Sequence, residues 1–134
     1  MRPFQLKIVT PDGVAFDGQV ESLTLRTTSG DMGILAGHTN MVAPLGMGRC
    51  TLVIDGKRRH AACIGGMVSV MDGKVTLVPT TFEWAEDIDA NRAELSYERA
   101  QKILGSKTSE QTDIALAEAR LKRALVRKSV VSMK

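Results

Sequence analysis

Residues 51–78 read Thr-Leu-Val-Ile-Asp-Gly-Lys-Arg-Arg-His-Ala-Ala-Cys-Ile-Gly-Gly-Met-Val-Ser-Val-Met-Asp-Gly-Lys-Val-Thr-Leu-Val, and this stretch decides the fold. Asp55-Gly56 and Asp72-Gly73 each stand between runs rich in β-branched residues, and Asp-Gly is a pair that readily accepts the positive φ angles of a two-residue hairpin turn. Upstream, Asp12-Gly13 and Asp17-Gly18 repeat the signal, so four such pairs predict a chain of short antiparallel strands. The flanks agree. Val20–Arg26, Thr51–Ile54 and Val75–Val78 combine β-branched residues with partial alternation. Residues 1 to about 86 are therefore predicted to form an antiparallel β-sandwich or flattened barrel. In that context Gly46-Met47-Gly48 and Gly65-Gly66 read as bulges or places of close strand packing. No helix-opening phosphate loop surrounds them.

Beyond residue 88 the character changes. All four prolines and eleven of the twelve glycines lie before position 89, leaving only Gly105 after it. Charge divides at the same place: residues 1–88 carry 8 basic and 9 acidic groups, whereas 89–134 carry 10 basic and 6 acidic. The basic excess belongs to the tail. There Ala93, Tyr97, Ala100 and Leu104 form one helical stripe, and Ile114, Ala117, Leu121 and Ala124 form a second after the Gly105 break. Thr108-x-x-Gln111 is a capping-box signature for that second helix. Two helices joined by about five residues predict an antiparallel hairpin. Its alanine-rich seam buries little apolar area, so it needs a partner surface and could change partners. The domains are accordingly placed at 1–87 and 88–134.

At 134 residues, 43% hydrophobic and 25% charged, the composition is that of an ordinary globular domain with an appendage, and excludes disordered or collagen-like chains. The longest apolar-leaning stretch, Ala61–Met71, contains two glycines and falls short of the roughly 18 residues of a membrane span. The opening Met-Arg-Pro-Phe-Gln-Leu-Lys lacks the apolar core of a secretory signal, which places the protein in the compartment where it is made. Cys50 and Cys63 have neither a C-x-x-C spacing nor a secretory setting and read as buried thiols.

Enzymatic signals are weak. His38 and His60 accompany no nucleophile motif, and with the two cysteines they match no zinc spacing, so no catalytic residue, catalytic cofactor or metal site is expected. Residues 28–42 form a small-residue loop with apolar side chains and one histidine. It reads equally as an inward connection or as a contact face. The last fifteen residues hold Arg120, Lys122, Arg123, Arg127, Lys128 and Lys134 without an acid. They form either a solvated face favoured by the helix dipole or a surface for an anionic partner. Nucleic acid is disfavoured, because Tyr97 is the single aromatic of the helical half and no binding module is present.

The ordered set Gly33-Ile34-Leu35-Ala36-Gly37-His38, Gly65-Gly66 and Ile88-Asp89-Ala90-Asn91-Arg92-Ala93 resembles the epsilon subunit of bacterial F-type ATP synthases along essentially the whole chain. The resemblance implies an α+β fold, a sandwich of about ten strands followed by a two-helix hairpin. It implies a non-catalytic central-stalk subunit of a proton-translocating synthase, peripheral on the cytoplasmic face of the cell membrane. Such a subunit couples the catalytic head to the rotor ring and restrains ATP hydrolysis through a mobile hairpin. The implied partners are gamma, the membrane c-ring and, in the extended state, a beta subunit met by the last helix.

By the same resemblance, Asp31, Met32, His38 and Met41 belong to the rotor and gamma contact, and ATP is a regulatory ligand of the folded hairpin. Its residues would be Glu83, Ile88, Asp89, Arg92, Ala93, Arg99, Arg123 and Arg127, with three guanidiniums able to surround a triphosphate. A free-standing ATP-sensing module and a small enzyme using His38 as base are the alternatives. The first would ignore gamma, and the second lacks a nucleophile partner.

Overall fold

The computed structural model describes residues 2–105 and 111–132, without the side chains of 111–114. Thr108-x-x-Gln111, the side chain of Ile114 and Lys134 therefore lie outside the described residues. The strands are β1 (Phe4–Thr10), β2 (Gly13–Val20), β3 (Ser22–Thr27), β4 (Gly30–Ile34), β5 (Met41–Pro44), β6 (Met47–Ile54), β7 (Lys57–Met71) and β8 (Lys74–Trp84). A 3-10 turn, Ala85–Asp87, leads to helices α1 (Ala90–Leu104) and α2 (Gln111–Val131).

The strands form one hydrogen-bonded sheet in the order β2-β1-β8-β7-β6-β3-β4, with β5 paired to β7. Glu21 alone separates β2 from β3, although these strands lie near opposite ends of that order. The sheet must therefore fold over until its two ends approach. Glu21 secures this crossing: its N–H donates to the Val53 carbonyl at 2.7 Å, and its Oε1 accepts the Gly56 N–H at 2.7 Å. A single apolar cluster fills the interior, with Leu6, Ile8, Leu23, Leu25, Ile34, Leu52, Val68, Val70 and Leu77 all essentially inaccessible. Alternation along β3, where Leu23, Leu25 and Thr27 are buried and Thr24 and Arg26 exposed, shows how a half-buried strand loads one face.

Two of the Asp-Gly pairs form the expected turns: Asp55 and Gly56 have φ of 51° and 76°, Asp72 and Gly73 have 51° and 81°. Pro11 and Asp12 make the β1–β2 turn, with Thr10 paired to Gly13. Asp17-Gly18 is no turn. It lies within β2 opposite Lys7 and Leu6, and Asp17 Oδ1 accepts a hydrogen bond from Gln5 at 2.7 Å. The predicted Val20–Arg26 strand is two strands, broken at Glu21, and the predicted loop 28–42 contains β4. The β1–β8 pair is parallel, so the sheet is not purely antiparallel: the first strand returns beside the last after the whole domain intervenes.

Among the described residues there are eight strands rather than about ten, because β7 is long enough to serve both layers. It pairs with β6 through Lys57–Ile64 and with β5 through Met67–Val70. Between these stretches Gly65 and Gly66 take φ of +67° and +98°, and a Cβ on Gly66 would overlap the Val78 carbonyl oxygen and the Pro79 Cα. This is close strand packing that only glycine permits.

Cys50 and Cys63 are buried free thiols on β6 and β7. Burial pushes Cys63 from 9.0 to about 12, and raises Cys50 well above its ordinary value, with the neighbouring Cys63 adding to the effect. Both stay protonated at neutral pH. A folded-state thiol pKa above the unfolded one stabilises the fold at low pH, and this contribution is lost as pH climbs from about 9 towards 12. Native protein is expected to leave both thiols unreactive to a disulfide reagent at pH 8, with reaction of both only after unfolding; fast labelling of the native chain would refute their burial.

In the helical half, Asp89 caps α1, its Oδ1 accepting the Arg92 N–H at 3.1 Å. Ala93 and Ala100 of α1 and Ala117 and Ala124 of α2 are buried, so the predicted alanine seam exists. The helices run antiparallel, as Lys128 near the end of α2 meets Glu94 near the start of α1 at 2.7 Å and sits 4.1 Å from the Tyr97 ring centre. The hairpin docks on the β-domain through Val130, which is fully buried with Ala62, Ala85 and Ile88 and flanked by Val126 and Val131. Among the described residues no helix is long and apolar enough to cross a membrane.

Candidate functional site

The end of β8 sets the site. Trp84 is buried with Phe16 and Phe82 edge-on to it, and the Arg59 guanidinium lies 3.6 Å from its ring centre. Arg59 also donates from Nε and Nη2 to Glu86 Oε1, at 3.1 and 2.7 Å, and so clamps the 3-10 turn to β7. With the turn held, Ile88 is driven into the docking cluster and Asp89 is left free to cap α1. Glu83, Ile88, Asp89, Arg92 and Ala93 consequently line one cavity of about 260 Å³, together with Asp87, Ser96 and Arg127. Across it Arg127 Nε donates to Glu83 Oε1 at 2.6 Å, each side chain about one third exposed (29% and 32%).

A second cavity of about 300 Å³ follows along the hairpin. Ser96, Arg99 and Ile103 of α1 face Arg120, Arg123 and Arg127 of α2 across Ala100. Each trio is spaced three then four, which places it on one face of its helix. Ser96 and Arg127 line both cavities, so the two join into one cleft. All eight residues expected to hold a nucleotide thus share this cleft. Ser96, Asp87 and Arg120 also line it without having been singled out for it. The helical period was the available signal for two of them: Ser96 lies three residues before Arg99, and Arg120 three before Arg123.

The two ends differ chemically. Glu83, Asp87 and Asp89 give the first cavity acceptors for hydroxyl and amino groups, whereas among the described residues no carboxylate lines the second. Among the described residues Arg99, Arg120 and Arg123 have no ion-pair partner. Such an arrangement can receive a ligand with a polar, hydroxyl-bearing end and a polyanionic end. Among the described residues there is no cluster of metal-binding side chains.

Of the four residues expected at the rotor contact, Asp31 is exposed, whereas Met32 and Met41 are half-buried. Asp31 pairs with Arg26 at 3.8 Å and lines a cavity of about 500 Å³ between the sheet and α2. Met32 and Met41 pack partly buried against the core, and the His38 Nδ1–H donates to the Thr39 carbonyl at 2.9 Å. Strand alternation on β4 separates Asp31 from Met32. Nearby, the outer face of β5, β7 and β8 exposes Val42, Met67 and Val78, with Met67 paired to both Pro44 and Val78. That apolar row went unrecognised in the sequence.

Two family models cover the chain: the ATP synthase delta/epsilon chain beta-sandwich domain matches residues 3–85, and the ATP synthase delta/epsilon chain long alpha-helix domain matches residues 86–132. The chain belongs to the ATP synthase delta/epsilon family. The ATP synthase epsilon chain of Ruminococcus albus is 42% identical over the full length of both chains, and that of Bacillus subtilis is 45% identical over 85% of this chain and 86% of its own. This epsilon-type chain is a non-catalytic subunit of the synthase central stalk. Its fold is shared with a chain in the Euglena gracilis mitochondrial ATP synthase, an assembly of OSCP, F1 and c-ring. The TM-score is 0.85 at 24% identity, covering 98% of this chain and 82% of that one. A chain of the Tetrahymena thermophila mitochondrial synthase central stalk and c-ring matches at TM-score 0.60 and 14% identity, over 95% of each chain.

Proposed function

We propose that this epsilon-type subunit joins gamma and the c-ring at the cytoplasmic face of the cell membrane, couples the catalytic head to a proton-driven rotor, and brakes ATP hydrolysis with its hairpin. ATP in the cleft holds the hairpin down. The observation that carries this reading is Arg127, which lines both cavities of the cleft and also bonds to Glu83 of the β-domain. A ligand bridging both helices and β8 binds the docked state and has no equivalent site once the helices leave, so it shifts the balance towards docking. The apolar latch is small, which suits release. Once released, the basic face of α2 is free to meet an acidic segment of a beta subunit.

The neighbouring structures of a synthase with its c-ring and of a central stalk with its c-ring support gamma and the c-ring as partners. The exposed row of Val42, Met67 and Val78 supplies apolar surface for such a contact. At ATP concentrations too low to fill the cleft, hydrolysis by a head of alpha, beta and gamma subunits, titrated with this chain, is expected to fall, and calorimetry is expected to detect ATP binding that Arg127→Ala weakens by at least about tenfold. Undiminished hydrolysis would remove the brake from this reading, and wild-type titrations by Arg127→Ala would remove the ATP site.

A further inference from the structure

The cleft narrows the choice of ligand through a residue outside the expected set. Its carboxylates, Glu83, Asp87 and Asp89, all lie in the cavity nearest the β-domain, where they repel phosphate and accept from a sugar or base. The polyanionic end of a ligand is thereby directed into the second cavity. There Arg127, Arg123 and Arg120 follow one another along a single face of α2. Seven residues of helix place Arg120 about 10 Å beyond Arg127 along the axis. Arg127 stands at the junction of the two cavities, and Arg120 lines only the far one.

The electrostatic state of the row is graded in the same sense. Arg127 is partly neutralised by Glu83 at 2.6 Å, whereas Arg120 and Arg123 have no ion pair among the described residues. The unbalanced charge thus lies at the far end. An anionic chain entering from the carboxylate end meets Arg127 first and Arg120 last. A short chain ends before it reaches Arg120.

We infer that Arg120 is a specificity-determining residue that contacts the terminal phosphate of a bound nucleoside triphosphate and so makes the cleft count phosphates. This inference rests on the nucleotide reading of the cleft proposed above. It predicts that Arg120 separates triphosphate from diphosphate, while Arg127, at the junction, serves both.

The test is calorimetric titration of the full chain, in magnesium-free buffer, with ATP, ADP and inorganic tripolyphosphate, for wild type, Arg120→Ala, Arg120→Lys and Arg127→Ala. Arg120→Ala is expected to weaken ATP about tenfold and to leave ADP within about twofold, with Arg120→Lys recovering part of the loss. Arg127→Ala is expected to weaken both nucleotides. If wild type binds ATP and Arg120→Ala weakens ATP and ADP equally, or neither, the role of Arg120 is overturned and the nucleotide site survives. Wild type that binds tripolyphosphate as tightly as ATP overturns the nucleotide reading instead, because the carboxylate end then recognises nothing. Absence of all binding overturns both. Arg120 is exposed on α2, so its removal leaves the fold intact, and an unchanged circular dichroism melt verifies that each variant is folded.

Discussion

Replacing Val130 by aspartate is expected to undock the helical hairpin while leaving the β-domain folded. Val130 has no accessible surface and is the centre of the small cluster formed with Ala62, Ala85 and Ile88. A carboxylate there has no cationic partner within the apolar cluster, and the cost of burying it, roughly 3 kcal/mol or more, is avoided by letting the helices leave. That energy corresponds to a shift of at least about a hundredfold in the docking equilibrium. Among the described residues the sandwich core contains neither Val130 nor any other α2 residue, so its cooperative unfolding is expected to change little. Amide hydrogen exchange would show loss of protection across α2 with β6–β8 still protected. In an assay with the catalytic head, Val130→Asp is expected to inhibit hydrolysis more strongly and to bind ATP more weakly than wild type. Unchanged exchange in α2 would mean that the latch is not what holds the hairpin.

Gly66→Val is expected to destabilise the β-domain by at least about 3 kcal/mol, a large part of the roughly 5–15 kcal/mol available to a typical domain. Two causes coincide at this residue. Its φ of +98° is poorly accessible to β-branched side chains, and its Cβ would fall on the backbone of Val78 and Pro79, which the β7–β8 ladder prevents from moving. Gly73 separates the two causes, because its φ of +81° is also left-handed but nothing lies within 4 Å of a Cβ built there. Gly73→Asn is accordingly expected to cost about 1 kcal/mol or less. Thermal denaturation of both variants measures the difference. Equal falls in Tm would show that backbone strain alone governs Gly66 and that the close approach of β7 and β8 contributes nothing.

The site residues follow from the family resemblance, and local features of the chain agree with it. Asp89 announces a helix start by side-chain chemistry that needs no tertiary partner. Arg99 on one helix, and Arg123 with Arg127 on the other, align by the 3.6-residue period, and the alanine seams at Ala93, Ala100, Ala117 and Ala124 turn those faces towards each other. The same period would have added Ser96 and Arg120. Glu83 is a different case. Its strand says nothing about a helix residue forty-four positions later, and only the docked hairpin puts Arg127 on it.

Local sequence alone divides this protein into a turn-rich β half and an alanine-striped, basic helical half, and places the tight turns at Asp55-Gly56 and Asp72-Gly73. Those features follow from backbone preferences and side-chain periods that act over a few residues. Tertiary packing sets that Asp17-Gly18 runs straight through β2, that β1 lies parallel to β8, that Glu21 carries the chain between the two ends of the sheet, and that Asp31 lines the cavity between the sheet and α2. Each of these depends on which distant strand or helix covers a given face. That choice is made by burying a whole core at once, which no local run of residues encodes.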